Sequence, residues 1–338
     1  MTFLVTIVYG LLLPWESGSQ VLPAWTVPWN GGLFNDLCRI FFESRVTGLL
    51  LLLMEWVALT SMRQRFLSEN DFLPGWLGLI SCTLLLSVPV SNALMAALLC
   101  VTASIQRSIR FLHHPYEERS AYDIGLTLGI AGLLYGPASF FIVIFWLRML
   151  QMSSSFIRSF AASLLGLLTP AFLLQTALFV WKDMPWTAFP HPLRDTLTAA
   201  ASQHMAWTWS GILLAALLVP AILIALTVLW KRLHTYPADI RMFWFTIQWM
   251  LMAAVLGILL LPGHPASLLW FCLPCAVTAL SSMLVHTKHE QRAARFFNTV
   301  LLLSIAVQAE GALTRSGLPV LKDGVQWLIQ WISSYLPL

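Results

Sequence analysis

The feature that most constrains this chain is a succession of apolar runs, nearly free of charge, separated by short turns rich in arginine. Apolar runs lie near 2–15, 46–62, 74–90, 92–106, 122–136, 138–150, 160–181, 206–230, 242–261, 267–285 and 296–311. A helix crossing a bilayer needs about 20 predominantly apolar residues. Several of these runs are shorter, so two pairs read as hairpins of short or tilted helices. One pair breaks at Pro89, Ser91 and Asn92, the other at Gly136 and Pro137. Proline removes a backbone donor and opens a helix at that point. The composition agrees: 58% of residues are hydrophobic and 10% are charged, against about 25% charged in an ordinary soluble domain. The fold class expected is all-α, a polytopic integral membrane protein with about eleven transmembrane helices. The chain reads as one membrane domain over 1–338, with an N-terminal helical module at 1–183 and more variable C-terminal helices at 184–338.

Placement of the basic residues sets an orientation, because cytoplasmic loops of membrane proteins hold an excess of Lys and Arg. With the N-terminus inside, the inner turns hold Arg63, Arg65, Arg107, Arg110, Arg119, Arg148, Arg158, Lys231, Arg232, Arg241, Lys288, Arg292 and Arg295. The outer segments hold Arg39, Arg45, Lys182, Arg194, Arg315 and Lys322. The excess predicts a cytoplasmic N-terminus and a C-terminus on the outer side of the membrane. MTFLVTIVYGLLLP has no basic residue before it, so it reads as an uncleaved first helix rather than a signal peptide. The basic residues are too few and too scattered for nucleic acid. The partner implied is the lipid bilayer itself.

Three outer segments stand out. In the first, LFNDLCRIFFESR places Leu33, Leu37, Ile40 and Phe41 on one helical face and Asp36, Arg39 and Glu43 on the other. That pattern predicts an amphipathic helix lying on the membrane surface. The second, 182–204, is polar and proline-rich. The third is the tail, where Trp327, Leu328, Trp331 and Tyr335 suggest another interfacial helix.

No phosphate loop, zinc signature, nucleophile elbow or dinucleotide fingerprint is present, and the sequence leaves the cofactor unknown. The outer-face acids Glu16, Asp36 and Asp183 are candidate catalytic groups. A carboxylate there is placed to act as a general base on an acceptor, or to hold a divalent metal against a phosphate. Glu55 lies within an apolar run, where a charge usually faces the protein interior or snorkels to the interface. Cys272-Leu-Pro-Cys275 has the spacing of a redox pair, although cysteine is also a common buried filler. His113 with His114, and His286 with His289, sit among basic residues and read as solvated histidines rather than metal ligands.

The stretch from Ser91 to Asp183 carries a Ser-Asn turn, Asp123 and Gly125 opening a helix, a Tyr135-x-Pro137 break, and a Gly166-x-x-x-Pro170 helix ending at Asp183. In these features it resembles an uncharacterised family of polytopic membrane proteins of Bacteroidota. That resemblance implies the fold and no known activity. The order of elements (one helix, an outer loop with an amphipathic helix, a second helix, then short hairpins) is similar to membrane-embedded glycosyltransferases that use polyprenyl-phosphate sugars. This looser resemblance implies catalytic roles for Glu16, Asp36 and Asp183. It also implies a hold on the lipid phosphate by Arg39, Arg45 and Lys182. The adjacent acidic pair usual in that superfamily is missing here. Three functions follow as expectations: a non-catalytic scaffold for an envelope partner or a degenerate relative of such enzymes, a glycosyltransferase, and a transporter.

Overall fold

The computed structural model describes residues 44–64, 91–113, 118–152, 156–182, 209–232, 238–260, 265–285 and 290–316. Every element among them is helical. The helices are α1 (Arg45–Gln64), α2 (Asn92–His113), α3 (Glu118–Leu134), a 3-10 segment (Gly136–Phe141), α4 (Ile142–Met152), α5 (Phe156–Lys182), α6 (Trp209–Arg232), α7 (Ala238–Leu260), α8 (Pro265–Val285) and α9 (Glu290–Ser316). They coincide with nine of the apolar runs. The runs at 2–15 and 74–90, and the surface helices expected in the first outer loop and the tail, lie outside the described residues.

Local chemistry explains the boundaries. The Ser91 hydroxyl accepts a hydrogen bond from the Leu94 amide at 3.1 Å, capping the start of α2. Pro137 stands in the first turn of the 3-10 segment, where its missing N–H costs nothing. Its neighbour Tyr135 is extended, with φ of −146°, so the chain turns there as the Gly-Pro pair predicts. Pro170, Pro220 and Pro274 lie inside α5, α6 and α8. Interior prolines are characteristic of membrane helices, where neighbouring helices satisfy the freed backbone groups.

Side-chain registers fix the directions. Asn92 Nδ2 donates to the Ser44 carbonyl at 2.8 Å, Thr102 Oγ1 to Glu55 at 2.6 Å, and Gln106 Nε2 to the Ala58 carbonyl at 2.7 Å. Numbers rise together along both helices, so α1 and α2 run parallel. The same holds for α3 and α5: Gly125 faces Ser163 and Leu167, and Gly129 faces Leu167 and Pro170. Between them the 3-10 segment and α4 run back, covering about 28 Å at 2.0 and 1.5 Å per residue. Trp146 of α4 packs at a tilt against Phe160, ring centres 4.8 Å apart, and donates through Nε1 to Ser163 Oγ at 2.9 Å, an antiparallel contact with the start of α5.

Among the described residues α3 and α5 approach each other backbone to backbone. A Cβ on Gly125 would overlap the Ser163 carbonyl oxygen, and one on Gly166 would overlap the Tyr122 carbonyl oxygen. Backbone meets backbone there, which only small residues permit. Gly125-Leu-Thr-Leu-Gly129 is a G-x-x-x-G motif of the kind that brings membrane helices together.

The C-terminal helices join the same axis. Phe271 near the start of α8 packs on Tyr135 at 5.9 Å and on Phe141 at 5.4 Å. Trp230 at the end of α6 meets Phe245 near the start of α7 at 6.1 Å. Arg148 Nε donates to Thr246 Oγ1 at 3.2 Å, tying α4 to α7. The ends of α1, α2, α4, α6 and α8 and the starts of α3, α5, α7 and α9 therefore share one end of the bundle. Arg63, Arg107, Arg110, Arg119, Arg148, Arg158, Lys231, Arg232, Arg241, Arg292 and Arg295 all belong to that end. Arg45, Lys182 and Arg315 belong to the opposite one.

The expectation of about eleven crossings is corrected in its count. Among the described residues one segment, Phe156–Ala177, is long and apolar enough to cross a membrane on length and composition alone. Six others, including Val46–Ser61 and Trp270–Leu284, have continuous apolar stretches of only 10–17 residues. At 1.5 Å per residue even 16 residues reach about 24 Å, short of the roughly 30 Å hydrocarbon core.

Candidate functional site

None of the three acids singled out from the sequence lies in the described part: Glu16, Asp36 and Asp183 fall outside it, as does Arg39. Arg45 is the first residue of α1 and Lys182 the last of α5, which puts both backbones at the same end of the bundle. Cys272 and Cys275 sit one turn apart on α8, and neither is in a disulfide. Cys275 is packed into the core, in the manner of a buried apolar filler.

The polar groups the structure does bring together lie inside the bundle. Glu55 is at the middle of α1 and only 3% exposed. Its Oε1 accepts from Thr102 Oγ1, at the middle of α2, over 2.6 Å. Its other oxygen, Oε2, is buried without a hydrogen-bond partner among the described residues. Glu55 thus turns into the helical interior rather than reaching for Arg63 at the end of α1. Toward the basic end, Gln106 Nε2 donates to both the Ala58 carbonyl, at 2.7 Å, and Ser61 Oγ, at 2.9 Å. Arg107 Nη1 donates to the Asp123 carbonyl at 3.3 Å, fastening α2 to α3.

Arg148 is the second buried charge. It is 5% exposed, donates to Thr246, and lies with its guanidinium carbon 6.0 Å from the centre of the Phe245 ring. A planar, weakly hydrated guanidinium stacked on an aromatic face is the form of positive charge best suited to such a place. These side chains can lock helices in register. Of the two buried charged side chains, Glu55 is the one that retains an oxygen nothing described uses. No group of three or more His, Cys, Asp or Glu side chains converges among the described residues. Glu55 was legible as an anomaly in an apolar run. Thr102 and Gln106 were not, since ordinary polar residues gain meaning only from the helix they face.

Comparison with protein-family models, with curated proteins and with solved structures gives no match for this chain.

Proposed function

We propose that the chain is a multi-pass protein of the bacterial inner membrane, with the arginine-rich end of its bundle in the cytoplasm, acting as a non-catalytic scaffold for an envelope partner. The observation that carries the membrane reading is the outer surface of α5. Only 22% of Phe156–Ala177 is buried, and Ile157, Leu165, Phe172, Leu173 and Val180 are each at least 60% exposed. A helix that apolar, facing outward, is at home in hydrocarbon and a liability in water. Exposed Leu213, Leu223, Leu256, Leu302 and Ile305 extend the apolar surface to α6, α7 and α9.

The parallel registers add to this reading. If α1 and α2 both span, the chain must return between them, and the apolar run at 74–90 is available for that crossing. The shorter apolar stretches then cross with polar residues buried against neighbouring helices, as bundle interiors allow. The scaffold reading is supported by what the interior polar groups do: Asn92, Gln106, Tyr122, Trp146 and Arg148 all make contacts between helices. One observation favours a transporter instead, the unmatched Glu55 oxygen at mid-length.

The test is fractionation and tag accessibility. The chain stays in the membrane pellet after alkaline carbonate. An epitope at its C-terminus is digested in intact spheroplasts, and one at its N-terminus only after lysis. Recovery in the soluble fraction, or both tags on one side, refutes the proposal.

A further inference from the structure

We infer that Glu55, with Thr102, forms a proton-binding site within the helical bundle. An ionised carboxyl in an apolar interior is costly unless paired. Here one hydroxyl meets it and one oxygen is left without a partner. A proton on Oε2 removes that charge without disturbing the Thr102 bond to Oε1. Leu51, Leu52 and Leu59 around it on α1, and Leu98 and Val101 on α2, are buried in the same core. The titratable groups on the two helices packed against α1 are Cys100, Arg107, Arg110 and His113 on α2 and Cys272 and Cys275 on α8. None of the described side chains among them hydrogen-bonds or ion-pairs with Glu55. The donor set suits a proton rather than a metal ion. Hard divalent cations take about six oxygens or more, and this site offers a carboxyl and a hydroxyl.

Position adds to the case. Glu55 and Thr102 are each at mid-length of their helices, where an ionisable group in a membrane protein marks a proton or substrate path more often than a structural accident. The inference goes beyond the scaffold reading and does not depend on how the chain is oriented.

The experiment uses the full chain, purified in mild detergent and treated with a hydrophobic carbodiimide from acid to alkaline pH. The carboxyl proton passes to a carbodiimide nitrogen and the carboxylate oxygen adds to its central carbon. The adduct then rearranges to a stable acylurea that peptide mass spectrometry locates. The expected result is modification at Glu55 that falls at least roughly ten-fold across the titration, one pH unit changing the protonated fraction by up to about ten-fold. Its profile differs from that of exposed Glu118. Thr102→Val, which removes the one hydroxyl touching the carboxyl, displaces the midpoint. Glu55→Gln abolishes the modification while elution on size exclusion is unchanged. No modification at Glu55 at any pH overturns the inference, as does modification that does not vary with pH. A Thr102→Val profile superposing on the wild type also overturns the assignment of the site to the pair. Because the wild-type titration alone reads out Glu55, the inference stays testable if a variant fails to fold.

Discussion

Replacing Gly125 by alanine tests the backbone-to-backbone approach of α3 and α5, since two opposing effects meet there. Alanine is the better helix former by about 1 kcal/mol, so at an open position the change would stabilise α3. At Gly125 the new methyl would overlap the Ser163 carbonyl oxygen and press on the Leu167 amide nitrogen. Both are backbone atoms of α5, so no side chain can rotate away and the helices must part. Overpacking of this kind costs about 1–3 kcal/mol, occasionally more. With backbone on both sides the clash falls at the upper end of that range, so the net loss is about 2 kcal/mol. At roughly 2–4 °C per kcal/mol for a chain of this order of size, Gly125→Ala lowers the unfolding temperature by about 4–8 °C. The assay is thermal unfolding of detergent-purified protein followed by size exclusion. Gly166→Ala, which overlaps the Tyr122 carbonyl oxygen from the other side, behaves likewise. The double variant loses less than the sum, because the first methyl has already separated the helices. Leu165→Ala, on the outer face of α5, stays within about 0.5 kcal/mol of wild type. A Gly125→Ala protein as stable as the parent, or more stable, would refute the close approach of α3 and α5.

Other consequences are open to direct measurement. Thr246→Val removes the hydroxyl that Arg148 Nε reaches and leaves that donor buried, costing about 1–3 kcal/mol in the same thermal assay. An unchanged unfolding temperature would mean that α4 and α7 are not joined there. Gln106→Leu deletes two bonds to α1 and should cost about 1–2 kcal/mol. If it proves stabilising, the parallel α1–α2 register loses its support at that end. Cys275, packed in the core of α8, should react with a hydrophilic maleimide only after denaturation. Fast native labelling would restore the redox reading of Cys272 and Cys275.

Much of the fold was legible because apolar runs and breakers are local signals. The Gly136-Pro137 break became the 3-10 segment, and the Ser91-Asn92 turn became a cap and an interhelical bond. The runs at 46–62, 92–106 and 160–181 became α1, α2 and α5 with a few residues added at their ends. Directions of packing were not legible. Nothing local tells that Glu55 meets Thr102 rather than Arg63, because the partner lies 47 residues away on a parallel helix. The G-x-x-x-G spacing at Gly125 and Gly129 was present in the sequence and pointed at the α3–α5 contact, yet the periodicity of apolar residues drew attention elsewhere. The candidate site was legible only in part: Glu55 stood out as an acid within an apolar run, and its partner Thr102 did not. An architectural likeness directs attention to acids at the outer ends of helices, while burial singles out an acid in the middle of one.

The residues behind the family resemblance can now be given a physical reason for standing where they do. Gly125 and Gly166 sit where two backbones touch, Pro170 packs on Gly129, and Pro137 starts the return between the parallel helices. Each is a requirement of the α3–α4–α5 unit, and none touches Glu55. A resemblance resting on them therefore speaks for shared packing and is silent on shared chemistry. The converse also follows. The glycine contact does not require the carboxyl, since Thr102 and the leucines around it would pack against a glutamine or methionine of similar volume at position 55. Glu55→Gln and Glu55→Met would then keep the packing of α3 on α5 and lose the carbodiimide titration.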